Sequence, residues 1–167
     1  MKKITILATI ISTIWVGVLI WFSVLKIQFN QNCTGYLGQA ANANTIELAM
    51  DRLDKAIETV EKNNWTEGYT SVLWKTEGEN VGYWYTNLKA SRAELENALD
   101  ATQMEQTNVL MKLRETLLDV GEKGTKITYP EGLYVYPYNL EFGILAWVIN
   151  ILFFGVWFVW FVKFLDN

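Results

Sequence analysis

Two uncharged apolar runs constrain this chain more than anything else in it. Ile4 to Leu25 (ITILATIISTIWVGVLIWFSVL) carries no charge over 22 positions, and Phe142 to Val162 (FGILAWVINILFFGVWFVWFV) carries none over 21. A hydrocarbon core of about 30 Å takes about 20 helical residues at 1.5 Å each, so both runs are long enough to cross one. A core helix of a soluble globule is ordinarily shorter and is not rich in Trp and Phe all round. The expected fold class is an all-α membrane protein. Two transmembrane helices, residues 4–25 and 142–162, flank an outward-facing antiparallel helical hairpin, either coiled-coil-like or a small bundle.

The first run reads as an uncleaved anchor and not as a signal peptide. It is too long for an h-region, and KIQFNQNC follows it with no small-residue cleavage site. Lys2 and Lys3 precede it against the single Lys26 beyond, and Lys163 follows the second run. Short basic flanks stay in the cytoplasm, so residues 1–3 and 163–167 are expected inside and the middle outside. The middle, residues 26–139, holds 11 basic and 16 acidic side chains, a net charge of 11 − 16 = −5. That balance argues against nucleic acid or anionic lipid as a partner of the outer part. The plain MKK start and compact layout suggest a bacterial or phage-encoded inner-membrane protein. Cys33 is the only cysteine, so no intrachain disulfide can form. It is expected to be accessible just outside the membrane.

Beyond a membrane-proximal segment, 26–42, the pattern turns helical. In ANTIELAMDRLDKAIETVEK, residues 43–62, Ile46, Met50, Leu53, Ile57 and Val60 recur at steps of four and three, with carboxylates on the other faces. Gly35 and Gly38 lie upstream, where a break or loosened turn is expected. A second run keeps the same alternation from Val81 through Trp84, Leu88, Leu95, Val109, Leu113 and Leu117 to Val120, with no glycine or proline between Gly82 and Gly121. One continuous helix over 86–120 is favoured; Asp100 or Thr102 capping a new helix is the alternative. Together these make a hairpin over 43–120. Residues 121–141 form a connector with both prolines, whose Tyr129, Tyr134, Tyr136 and Tyr138 are expected at headgroup level.

The two helices are joined by an aromatic-rich stretch, residues 63–85, expected at the far tip of the hairpin. Its hinge, KTEGEN, has turn chemistry, and Val81 to Tyr85 fits either a short hairpin arm or the start of the next helix. Trp84 continues the helical seam and reads as core. Trp65, Tyr69, Trp74, Tyr83 and Tyr85 are the candidate partner-binding residues. The other reading makes the aromatics a satellite core that clamps the helix ends. Within the spans, Gly143, Ala146 and Asn150 share a face of the second helix, and Thr13 and Gly17 lie at matching depth in the first. These five are the candidate helix-packing residues.

Nothing in the sequence speaks for catalysis. The chain has no histidine, no glycine-rich phosphate loop and no paired cysteines. No cofactor or metal is expected. The layout resembles the helical-bundle outer domains of bacterial receptors, although the few residues after the second span supply no cytoplasmic signalling module. The leading expectation is a small membrane accessory or structural subunit that binds another membrane or extracytoplasmic protein, or further copies of itself. A stand-alone ligand-binding module and a pore-forming or lysis protein are the alternatives.

Overall fold

The computed structural model describes residues 2–73, 75–121 and 124–165, with the backbone alone for Lys2. Helix accounts for 76% of the structure, and two of the helices are long and apolar enough to cross a membrane. The chain divides into two compact units, Met1–Lys26 with Tyr138–Asn167, and Ile27–Pro137.

In the first unit, α1 (Lys2–Phe29) supplies its uncharged part and α6 (Asn139–Leu165) the other helix. Their polarity is inverted relative to a soluble fold. No side chain of α6 is buried, and Trp147, Phe154 and Phe158 stand 64–73% exposed. Polar atoms meet in the seam instead. The Trp15 indole donates to the Asn150 amide oxygen at 3.2 Å, and that amide donates to the Ala146 carbonyl at 2.7 Å. About two helical turns further along α6, the Trp157 indole donates to the Ser12 hydroxyl at 3.1 Å. Trp15 also stacks on Phe153, centroids 4.9 Å apart.

The second unit is built on four helices. α1 ends in a π-helical turn, Asn30–Thr34, that runs straight into α2 (Gly35–Ala41). Gly35 makes the wide turn possible, because a Cβ there would sit 2.8 Å from the Asn30 carbonyl oxygen. The expected loosening near the glycines is thus one residue wide, and the helical path continues to Ala41. α3 (Ile46–Lys62) starts at Thr45, whose hydroxyl accepts from the Leu48 amide, an ordinary N-cap. α4 (Val81–Asn97) starts at Asn80, whose side chain accepts from the Tyr83 amide. α2 packs on α3 and α5 (Gln103–Leu117), and α4 packs on the same two. Ion pairs show the directions: Asp54 meets Arg92 and Glu61 meets Lys89, so α3 and α4 are antiparallel. Glu94 meets Lys112 across the short turn between α4 and α5. The core between the helices is made of Leu37, Leu53, Val60, Leu88, Leu95 and Leu117, each at most 1% exposed.

Three sequence expectations change. The continuous helix over 86–120 is two helices. Thr102 and Glu105 form a capping box, with Thr102 N–H donating to the Glu105 carboxylate at 2.9 Å. The Gln106 amide then donates to the carbonyls of Ala98 and Leu99, which α4 leaves open. All-α also needs amending. After α5 the chain forms a two-stranded antiparallel sheet, β1 (Leu118–Gly121) and β2 (Gly124–Ile127), paired from Leu118↔Ile127 to Gly121↔Gly124. Val120, expected at the end of the helical seam, is 79% exposed on β1. Finally, the two-helix hairpin is one side of a four-helix unit, because the turn at 98–102 folds α5 back alongside α2.

Candidate functional site

The aromatic stretch does not form a far tip. It lies at the end of the second unit where the chain comes in at Phe29 and leaves at Pro137. Phe29 is 3% exposed and packs edge-on against Trp65 and Tyr129, at 5.6 and 5.0 Å between centroids, with Tyr134 tilted at 6.4 Å. Helix direction explains the reversal. Because α1 runs on into α2 before the chain turns, α3 travels back, and its Thr59 hydroxyl reaches the Asn32 carbonyl at 2.7 Å. The turn at 98–102 therefore occupies the opposite end.

Two indoles pin the connector to this end. Trp65 N–H donates to the Tyr136 carbonyl at 3.2 Å, and Trp84 N–H donates to the Thr128 carbonyl at 3.0 Å. In return the Tyr136 hydroxyl donates to the Glu67 carbonyl at 2.8 Å. Gly68 closes that turn at φ +90°, and a Cβ there would overlap the Tyr136 hydroxyl. Beyond it, Thr70 N–H donates to the Glu79 carbonyl and Val81 N–H to the Gly68 carbonyl, so residues 68–70 are tied to residues 79–81.

Among the candidate partner-binding residues, Trp65 is only 8% exposed and belongs to the core. The Tyr85 hydroxyl donates to the Glu61 carboxylate at 2.6 Å, which holds that carboxyl below its usual range, with Lys89 adding to the effect. Tyr69 and Tyr83 stay open, Tyr83 at 61%. Trp74 lies outside the described residues. Tyr129, Tyr134 and Tyr136 are half-buried against the core; Tyr138 alone of the four is exposed. Burial pushes the Tyr129 phenol up. Cys33, expected to be accessible, is completely buried, and desolvation pushes its thiol up to about 12. The π turn swings it inward, a shift no straight helical wheel contains.

Of the packing residues in the spans, Asn150 meets Trp15, which the sequence reading passed over. Thr13 spends its hydroxyl on the Thr9 carbonyl one turn back, and Cβ positions at Gly17 and Gly143 would meet nothing within 4 Å. Those glycines therefore provide no close approach, because the seam is set by Trp15 and Phe153.

A cleft of about 180 Å³ opens beside Trp84. Its floor is apolar and buried: Trp84, Leu88, Leu117 and Pro130. Its rim is polar, with exposed Glu77 and Thr128 and half-buried Asn87 beside the Tyr83 ring. An apolar floor under a few polar groups is the usual build of a small-molecule site. Sequence reasoning missed it because its walls come from α4, α5 and the connector. The only local signal was Trp84 and Leu88 at a step of four. Among the described residues no group of three or more acidic, Cys or His side chains is arranged to hold a metal. No family model matches the chain, and comparison with curated proteins and with solved structures gives no match either.

Proposed function

We propose that this chain is an integral-membrane accessory subunit, anchored by α1 and α6, that acts by binding a partner through the helical unit between them. The observation that carries this reading is the outward apolar surface of the two long helices. Monomeric soluble proteins rarely expose apolar patches beyond a few hundred Å², and an uncovered surface of this kind asks for lipid. With the basic flanks as they are, both termini are cytoplasmic and residues 27–137 face outward in a bacterial or phage-derived inner membrane.

For the partner, a surface on α5 is favoured over the aromatic stretch, whose Trp65 and Trp84 are spent on the core. Met104 and Met111, seven residues apart on that helix, are 76% and 57% exposed. Flexible methionines suit a surface that adapts to another protein. The test is membrane extraction followed by labelling and capture. The chain should stay in the membrane pellet in alkaline carbonate. A Met111→Cys variant in a Cys33→Ala background should react with an impermeant maleimide in intact spheroplasts. Capture in mild detergent should recover a partner that Met104→Lys with Met111→Lys loses. Release by carbonate overturns the anchoring, and labelling only after lysis overturns the orientation.

A further inference from the structure

We infer that the cleft beside Trp84 is a binding site for a small amine that carries one aromatic ring or a short aliphatic group. The inference goes beyond the accessory reading and stands whether or not the long helices cross a membrane, because every wall of the cleft belongs to residues 27–137.

Size sets the first limit. A cavity of about 150 Å³ holds benzene, and this one, at about 180 Å³, suits one ring and little more. Its floor of Trp84, Leu88, Leu117 and Pro130 offers no free donor, because the Trp84 N–H is already given to the Thr128 carbonyl. The part of the ligand that goes in is therefore apolar.

Charge sets the second limit. Glu77 stands on the rim, and it takes part in none of the ion pairs among the described residues, which use Asp51, Asp54, Glu61, Glu94 and Glu96. Among the described residues, the adjoining groove shares Gly78, Thr128 and Tyr129 with the cleft and adds Asp119 and Glu131 alongside Lys126. Its carboxylates are likewise outside those ion pairs. A cation at the mouth gains a carboxylate partner and the faces of Tyr83 and Tyr129, and an anion gains neither. An apolar body with a cationic head matches both limits.

Gly78 gives a clean way to close the cleft. A Cβ there would meet nothing within 4 Å and no left-handed φ is required, so a side chain can start from this position without backbone strain. The probes are 2-phenylethylamine, 2-phenylethanol and 3-phenylpropionate, titrated calorimetrically into the full-length chain in detergent. The amine should bind best and the carboxylate worst. Gly78→Phe should weaken the amine by about tenfold or more while leaving the helical circular dichroism unchanged. Glu77→Gln should bring amine and alcohol to equal affinity. The inference falls if the unaltered chain does not bind the amine, or if Gly78→Phe leaves amine affinity where it was. If Gly78→Phe abolishes binding but amine and propionate bind alike, the choice of an amine is overturned.

Discussion

The two units bury opposite things. Between α1 and α6 the contacts across the seam are polar or aromatic, Asn150 and Phe153 with Trp15 and Ser12 with Trp157, while Ile, Val and Leu face outward. In the four-helix unit Leu, Val and Ala face inward, and carboxylates and lysines take the outside. Both are packed helices, and the difference is the one that the proposed lipid surroundings of α1 and α6 would call for. Apolar association drives packing only where water is the alternative. In lipid the discriminating contacts are hydrogen bonds and close fit.

The sharpest way to test that contrast is the thiol. Burial pushes Cys33 up to about 12, so its thiolate fraction near neutral pH should be roughly a thousandfold below that of an exposed thiol. A permeant maleimide should label it only after denaturation. Fast labelling of the folded chain would mean that the core of the four-helix unit is not sealed. Next comes a pair of tryptophans. Trp84→Ala removes a core ring and should cost about 3–5 kcal/mol by chemical denaturation. Trp147→Ala, at a site 73% exposed, should leave the stability of the four-helix unit within about 0.5 kcal/mol. Equal losses would erase the comparison.

Gly68→Ala should cost roughly 1–3 kcal/mol, from a strained φ and the overlap with Tyr136. Gly68→Ala combined with Tyr136→Phe should recover part of that loss, because the hydroxyl is the atom in the way. In the spans, Asn150→Leu should weaken helix association by about 0.6–2 kcal/mol without preventing insertion, read from thermal dissociation in detergent. An unchanged midpoint would mean that the Trp15 contact contributes nothing. The smallest effect belongs to Glu61. The Tyr85 hydroxyl and Lys89 lower its carboxyl, so its contribution is full above the ordinary carboxylate range and is lost as pH falls through the depressed value. The side chain is 46% exposed, which limits that contribution to at most about 1 kcal/mol. The denaturation midpoints of the parent and Glu61→Gln should converge as pH drops from about 6 to about 3.

What was legible in the sequence was what repeats locally. Ile46, Leu53, Ile57 and Val60 announce α3 because a period of 3.6 needs no distant partner. The break before α5 was hidden by the same rule. Ala98, Thr102 and Gln106 keep a step of four straight through the turn, so the pattern continues while the chain reverses. The sheet was hidden by length, since each strand is four residues. The candidate cleft and the burial of Trp65 depend on the connector, which no local window contains. The tyrosines before α6 read as interfacial because composition says aromatic and near a span. Phe29, which claims Tyr129 and Tyr134, sits at the other end of the chain.

The two indole contacts to the connector have a consequence for biosynthesis. Trp65 and the Tyr136 carbonyl are 71 residues apart in the chain, and Trp84 and the Thr128 carbonyl are 44 apart. A polypeptide made from its amino end completes α2, α3, α4 and α5 before it makes what closes them. Until residues 128–136 appear, Phe29 lacks its tyrosine neighbours and both ring N–H groups lack their carbonyls. Contacts this far apart in sequence form late and slowly. The nascent helices must therefore wait, partly uncovered, for the last stretch of chain before α6, and a ribosome stalled before residue 128 would hold an unfinished fold.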